Sequence, residues 1–343
     1  MREPVARAVH NGGMTDAVRE RYARFAEREA PGRSAVYADW AAGVAADPEV
    51  QAILARIPET HRQPPLVFAV TRLLGAPVGA YPAWREAVLR RADEIVAECS
   101  ARTLQTNEPL RLAALLPVLS EIDGPLALLE IGASAGLCLY PDRYSYRYRD
   151  GQGRLRVALD PADGPSAVVL ESRVDGPLPP LRLPEVVWRA GIDLAPRDAR
   201  DADDRRWLRG LVWPGETGRE ARIDAALDIA ASDPPVLVAG DAGEQLDALA
   251  AAAPPEATLV ITTPGVLVHL PRDRRSALID RIRAREAHWV TIDPPGLLDV
   301  WEPAVDAGAW PGFVVALDAE VRAAADPLGA WWEWRAGSAP KPS

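Results

Sequence analysis

The segment "LLEIGASAGL" (128–137) combines an acid, a serine and two glycines at spacings that fit two different chemistries. Counted from Gly132 it is G-x-S-x-G, the turn that presents a nucleophilic serine in many hydrolases. Counted from Glu130 it is an acid followed by small residues, which suits a strand end that contacts a nucleotide-type cofactor. Ser134 is the attacking group in the first interpretation and a spacer in the second.

The hydrolase interpretation needs strands before the serine, an upstream glycine-rich oxyanion loop, and an acid and a histidine that follow in order. The residues before 123 have helical periodicity, and they contain no such glycine cluster. Asp241 followed by His269 or His288 satisfies the order, but acids are so frequent in this sequence that the order is weak support. The Ser134 hydrolase is therefore kept as the lesser alternative.

The cofactor interpretation gives each position of the loop a physical role. Gly132 allows a sharp turn at the strand end, and Ala133 and Ser134 keep the surface low for a ligand. Gly136 is expected to open a helix whose free amides face that ligand. Glu130 suits a cationic or hydroxyl-bearing group rather than a pyrophosphate, and the G-x-G-x-x-G spacing is absent. These features argue against a nicotinamide dinucleotide.

Two later strand ends carry further acids. Asp193 follows "RAGI", and Asp241 follows "VLVAG" with Ala242 next to it. Ligands of open α/β sheets bind at the carboxyl ends of strands, so Glu130, Asp193 and Asp241 are expected to meet there. The alternative for Asp193 or Asp241 taken alone is a turn or helix cap.

Other polar residues are candidates for the substrate and for proton transfer. The segments "QTNEPLR" and "YPDRYSYRY" supply candidates for substrate binding, namely Gln105, Asn107, Arg111 and Tyr144. His269 is the best candidate for a general base, and Glu108 and Asn107 are weaker ones. The alternatives are a helix start capped by Thr106 or Asn107, a structural histidine, and tyrosines that only pack.

The elements that would position these residues change character along the chain. Residues 1–13 are expected to be a disordered leader, residues 14–122 a helical region that opens at Met14, and residues 337–343 a disordered tail. Residues 123–336 alternate short apolar strands with helical segments, which predicts an α/β, mostly parallel sheet with helices on both faces. The strands are expected at 126–131, 185–193, 235–241, 257–263, 288–293 and 312–318. A hairpin is expected within an insertion at about 140–184, and "FVVALD" and "WWEWR" are expected to form the final antiparallel edge.

Composition excludes several classes of function. A net charge of −10 without a basic run disfavours nucleic acid as a partner. No apolar run is long enough for a membrane span, and the start lacks a secretory signal, so a cytoplasmic protein is expected. Two cysteines, Cys99 and Cys138, cannot form a disulfide framework or a cysteine-based zinc site, and no metal is expected. A small-molecule substrate is the expected partner, and the oligomeric state stays open.

The loop and the two later strand ends together resemble class I S-adenosylmethionine-dependent methyltransferases. The first motif of that family is an acid followed by G-x-G-x-G, which Glu130, Gly132 and Gly136 match while Ser134 replaces the middle glycine. The resemblance implies that Asp193 holds the cofactor ribose, that Asp241 faces the adenine amine, and that Ala242 lies at the ring edge. It implies a Rossmann-like, methyltransferase-type sheet, S-adenosylmethionine as cofactor, and methylation of an unknown small molecule.

Longer segments resemble the bacterial DUF2332 family, whose proteins are uncharacterised. The resemblance covers nearly the whole chain and is carried by "HRQPPLVFAVTRLLG", "QTNEPLRLAALLPVL", "LALLEIGASAGLCLYPDRYSYRY", "RAGIDLAPRDARDADDRRWLRGLVWPG" and "ADPLGAWWEW". It implies a helical N-terminal part joined to a methyltransferase-like domain, with no established activity. Where the family has a histidine in a "DPHG" turn, this sequence has Leu328, so no catalytic role is carried over to that position. A non-catalytic ligand-binding or regulatory protein on the same fold is the main alternative.

Overall fold

The computed structural model describes residues 4–105 and 107–335. The chain divides into two compact units, each described here by itself. The helical unit comprises the described residues of Met1–Thr106 together with Ala202–Ala221. The sheet unit comprises Asn107–Asp201 and the described residues of Arg222–Ser343.

The helical unit contains only helices and turns among its described residues. Its helices are α1 Pro4–Arg28, α2 Ala35–Ala46, α3 Pro48–Leu54, α4 Pro64–Leu73, α5 Tyr81–Arg90, α6 Ala92–Ala101 and α8 Ala202–Gly210. The hydroxyl of Ser34 accepts from the Tyr37 amide and caps α2. Asp47 caps α3 before Pro48, which needs no hydrogen-bond acceptor at this position. Local cap chemistry therefore sets these helix starts.

Several boundaries differ from the sequence-based expectations. Helix α1 begins at Pro4, ahead of the expected start at Met14, and residues 1–3 and 337–343 of the predicted leader and tail lie outside the described residues. The segment 202–221 belongs to the helical unit, where the Arg33 guanidinium lies 3.7 Å from the ring centre of Trp213. The division falls at 106/107 instead of 122/123, because α7 (Arg111–Leu119) packs on strands of the sheet.

The sheet unit is built on one mostly parallel sheet of eleven strands. In chain order they are β1 Leu126–Ile131, β2 Ser145–Arg149, β3 Leu155–Leu159, β4 Val169–Asp175, β5 Val186–Asp193, β6 Val236–Ala239, β7 Thr258–Pro264, β8 His288–Asp293, β9 Phe313–Leu317, β10 Glu320–Ala325 and β11 Trp331–Trp334. The spatial order is β3-β2-β4-β11-β10-β9-β8-β7-β1-β5-β6. The strands expected from the sequence pattern are confirmed, and β1 and β8 have the expected bounds.

The five strands β6-β5-β1-β7-β8 are all parallel and form the part of the sheet that carries the candidate residues. All six residues of β1 are buried, so both faces of the sheet are covered at this strand. Apolar residues of α10 (Ala242–Ala250) and α11 (Arg272–Arg283) join alternate residues of the strands in one core. Helix α7 contacts β8 and β9 without joining that core, so it covers the opposite face. The remaining helix, α9, spans Arg219–Ser232.

The expectation that "WWEWR" forms a final edge is wrong. Strand β11 pairs antiparallel with β10, but its other side pairs in parallel with β4. The insertion does contain the predicted hairpin, β2 and β3, and it adds β4 as a third strand between that hairpin and β11. The inserted strands satisfy the hydrogen-bonding groups that β11 would otherwise expose.

Candidate functional site

The loop Gly132–Gly136 follows β1 at the carboxyl edge of the sheet. Gly132, Ser134 and Gly136 all have positive φ angles, 78°, 49° and 72°. The helix expected to open at Gly136 is absent: a single 3-10 turn, Leu137–Leu139, follows, and the chain continues into the inserted strands. The loop therefore has no helix N-terminus to offer a ligand.

The amide groups of this loop are used inside the chain. Each of the five donates a hydrogen bond: Gly132 N and Ala133 N to Ile192 O (2.8 and 3.2 Å), Ser134 N to Asp193 Oδ2 (2.8 Å), Ala135 N to Asn107 Oδ1 (3.2 Å), and Gly136 N to Ala133 O (2.6 Å). A phosphate group needs free donors at such a loop. The loop therefore has no free backbone amide to offer a phosphate group.

The glycines of this region allow close packing between elements of the chain. A Cβ at Gly132 would lie 2.6 Å from Val266 Cγ2. In β5, a Cβ at Gly191 would lie 2.4 Å from the Cβ of Ala133. These distances are shorter than van der Waals contact, so the small residues let the loop lie directly against its neighbours. The small side chain of Ala133, predicted to leave room for a ligand, thus packs against Gly191 of the chain itself.

Asp193 joins three strand ends. Its Oδ2 accepts from Ser134 N and its Oδ1 from Ala195 N, both at 2.8 Å, and its carbonyl accepts from Gly240 N at 2.9 Å. The ends of β1, β5 and β6 are therefore held at one place. Asp241 caps α10, because its Oδ1 accepts from Gly243 N at 2.8 Å. Its Oδ2 lies 3.6 Å from Arg274 at the surface, and Ala242 is the first residue of α10.

Glu130 lies beneath the loop and is only 3% exposed. Its Oε2 has no hydrogen-bond partner among the residues that the structure describes. Burial raises the pKa of this carboxyl to about 8, against the lowering effect of Arg111 and with a further rise from Asp193. Glu130 therefore holds a proton at neutral pH.

Arg111 begins α7 and reaches the turn after β7. Its Nη1 donates to Pro264 O at 2.8 Å, and its Nε donates to Pro327 O at 2.9 Å. Its charge acts on Glu130 and on His269, which lies in the 3-10 turn after β7. The pKa of His269 is lowered, first because surrounding atoms exclude water and second because of Arg111. Two residues selected separately from the sequence are thus brought together.

Asp293, at the end of β8, was missed by the sequence analysis. It is fully buried, its Oδ2 accepts from the Thr291 hydroxyl, and its Oδ1 has no partner among the described residues. Burial raises the pKa of this carboxyl to about 7, although Thr291, Arg111 and Arg275 lower it. The available signal was a buried strand, "HWVTID", that ends in an acid, the same signal that selected Asp193.

The remaining candidates hold the fold together or lie elsewhere. Asn107 supports the loop, since its Nδ2 donates to Ser134 Oγ and its Oδ1 accepts from Ala135 N. Glu108 Oε1 accepts from Leu110 N and from Arg222 Nε, each at 3.0 Å. Nothing in the sequence pattern around Arg222 pointed to this contact.

Tyr144, selected for substrate binding, is completely buried, and its hydroxyl donates to Leu137 O at 2.9 Å. Gln105 belongs to the helical unit. Thr106 lies outside the described residues. The Tyr144 hydroxyl is thus used inside the chain.

A family model described as "uncharacterized protein conserved in bacteria" matches residues 75–334, which is more than half of the chain. The chain belongs to the DUF2332 family. The matched segment of this DUF2332 chain includes the candidate site residues from Asn107 to Asp293. No curated protein and no solved structure matches it.

Within residues 4–105 and 107–335, histidine, cysteine, aspartate and glutamate side chains nowhere form a group of three that could hold a metal ion. In the same residues, every helix is too short or too polar to cross a membrane.

Proposed function

We propose that this DUF2332 protein binds S-adenosylmethionine at the ends of β1, β5 and β6 and transfers its methyl group to a small molecule. The observation that carries the proposal is the convergence at Asp193. Each of three neighbouring parallel strands has an acid within two residues of its end, and the hydrogen bonds of Asp193 hold these strand ends together. Ligands of open α/β sheets bind at this edge.

The hydrogen-bonding groups at this edge fit the proposed cofactor. S-adenosylmethionine has no phosphate, and its ammonium, ribose hydroxyls and adenine amine are donors that need acceptors. A carboxylate offers about four acceptor sites; Asp193 uses two for backbone amides and Asp241 uses one for its helix cap. Asp193 would hold the ribose and Asp241 the adenine amine, and the carbonyl oxygen of protonated Glu130 would accept from the ammonium.

When bound, the cofactor supplies a methyl group on a sulfonium, and the chain has to align the acceptor and exclude water. A protonated acceptor also needs a base. His269 is suited to this step, because its lowered pKa keeps the ring neutral at neutral pH and able to take a proton.

Calorimetric titration with S-adenosylmethionine and S-adenosylhomocysteine tests the proposal. Asp241→Asn is the most informative variant, since asparagine is as good a helix cap as aspartate but lacks the charge. We expect Asp241→Asn to weaken binding by about tenfold, as for one lost charge-assisted hydrogen bond. Glu256→Gln, at an exposed position, is the matched control. Absence of binding of both compounds at millimolar concentration would overturn the proposal.

A ligand-binding or regulatory protein without turnover is the second candidate. It is supported by the packing of the loop, where side chains of the protein fill the space beside Gly132 and Gly191. Cofactor binding without methyl transfer to any member of a broad acceptor panel would favour it over the enzyme.

The Ser134 hydrolase has less support. Ser134 has the positive φ of a strained turn, but it is 3% exposed and its Oγ accepts from Asn107. Among the histidines with described side chains, His61 contacts Thr60, His288 contacts Asp318, and His269 makes no hydrogen bond with the serine. Covalent labelling of Ser134 by a fluorophosphonate would restore this alternative.

A further inference from the structure

Two arginines hold the turn that follows β7, and both do so through carbonyl groups. Arg111 Nη1 donates to Pro264 O at 2.8 Å. Arg275 Nη1 lies 3.4 Å from Leu267 O and 3.3 Å from Leu270 O. Within the described part of the chain, neither arginine has a carboxylate within salt-bridge distance. Two unpaired arginines at one turn are unexpected in a protein with a net charge of −10.

The acids around these arginines do not neutralise them at neutral pH. Burial raises the pKa of Glu130 to about 8 and that of Asp293 to about 7, so neither carboxyl carries a full negative charge at neutral pH. Two further groups that sense Arg111 are uncharged: burial raises the pKa of the Cys138 thiol, and the pKa of His269 is lowered. The turn therefore has an excess of positive charge.

Arg111 also has an uncommitted hydrogen-bonding edge. Its Nε and Nη1 are used for carbonyl groups, whereas Nη2 makes no hydrogen bond with any described residue. Gly265 lies beside it, and a Cβ there would be 3.2 Å from Nη2. The side chain is half-buried, which strengthens a charge-assisted bond to an anion. The bare glycine leaves that edge of the guanidinium accessible.

We propose that this turn binds a small carboxylic acid, whose carboxylate contacts Arg111 Nη2 while Arg275 adds positive charge. One uncommitted donor and a small charge excess match a monoanion better than a phosphate dianion. The inference rests on the proposed function in one respect, that this acid is the methyl acceptor. The acids proposed to bind the cofactor lie at the ends of β1, β5 and β6. The two arginines lie at the turn after β7, which is the neighbour of β1 on its other side.

Fluorine NMR with 4-fluorobenzoate and the neutral isostere 4-fluorobenzamide measures this binding directly, without cofactor or turnover. We expect the wild type to bind the benzoate at millimolar concentration and not the amide. Arg111→Gln should weaken benzoate binding by at least about tenfold, the loss of one charge-assisted bond. Arg272→Gln is the matched control, because Arg272 is exposed and paired with Asp299 at 2.8 Å. Its affinity should equal that of the wild type.

The wild type provides a second measurement that does not depend on the folding of a variant. Glu130 and Asp293 ionise as the pH rises from about 6 to about 9, while the benzoate stays charged, so its affinity should fall at least about tenfold. A constant affinity would overturn the proposal. Absence of benzoate binding, equal binding of the amide, equal affinity in Arg111→Gln, or displacement by an equal concentration of inorganic phosphate would also overturn it.

The carboxylate that binds at this turn could belong to the methyl acceptor or to the cofactor. Repeating the benzoate titration in the presence of saturating S-adenosylhomocysteine distinguishes the two. Unchanged benzoate affinity supports an acceptor site. Competition overturns that assignment and gives the turn to the carboxylate of the cofactor. A protein that binds the benzoate but not S-adenosylhomocysteine keeps the carboxylate site and loses the proposed function, so the two failures are distinguishable.

Discussion

Replacing Glu130 by glutamine is expected to stabilise the protein at alkaline pH. Glu130 is 3% exposed, and burial raises the pKa of its carboxyl from 4.5 to about 8. The folded state therefore keeps a proton that the unfolded chain releases. Between these two pKa values the unfolded state binds fewer protons than the folded state, so the free energy of unfolding falls as the pH rises.

The magnitude follows from the interval between the two pKa values. Each pH unit corresponds to about 1.4 kcal/mol, so the interval from 4.5 to about 8 costs the wild type about 5 kcal/mol at pH values above it. The Glu130→Gln variant has no proton to release and keeps the shape of the side chain. Asp293, whose pKa is raised to about 7, is present in both proteins and cancels from the difference.

Urea unfolding followed by tryptophan fluorescence, at about pH 5, 7 and 9, measures this difference. The variant should gain on the wild type by several kcal/mol between the first and the last condition, while Glu256→Gln, at an exposed position, should follow the wild type. Parallel stability curves for the wild type and Glu130→Gln would mean that the buried carboxyl does not keep its proton. Burial would then not raise the pKa of Glu130 in the folded protein.

Asn107→Ala removes the side-chain oxygen that accepts from the buried Ala135 amide at 3.2 Å. The free energy of unfolding, measured in urea, should fall by about 1–3 kcal/mol, and an unchanged value would show that this contact is dispensable. Gly191→Ala places a Cβ 2.4 Å from that of Ala133 and should cost about 1–3 kcal/mol. Adding Ala133→Gly should recover most of that loss, and failure to recover it would contradict the packing argument. Cys138 should resist thiol reagents at mildly alkaline pH in the folded protein, because burial raises its pKa. Rapid labelling without denaturant, followed by peptide mapping, would contradict this expectation.

Strand positions were predictable because each depends on a pattern within a few residues. Buried strands such as "LALLEI" and "HWVTID" are continuous apolar runs bounded by turn residues, and both have the expected bounds in the structure. The same pattern located Glu130 and Asp193 at strand ends. The same pattern places Asp293 at a strand end, although this residue was not among the predicted site residues.

Contacts between distant parts of the chain were not predictable. The insertion decides that no helix follows Gly136 and that β11 is not an edge, and neither outcome is visible in the local pattern. Two of the loop amides donate hydrogen bonds to Asn107 and Asp193, which are far from the loop in sequence.

The sequence by itself determined which residues lie at the ends of parallel strands, since the periodicity of side chains along each strand is a local property. The tertiary structure alone decided their electrostatic state. The pKa values of Glu130 and Asp293 depend on burial and on charges brought together from separate strands and helices, as does the absence of a carboxylate partner for Arg111 among the described residues. Desolvation and Coulomb interactions act through space rather than along the chain, and that is why only the folded arrangement reveals them.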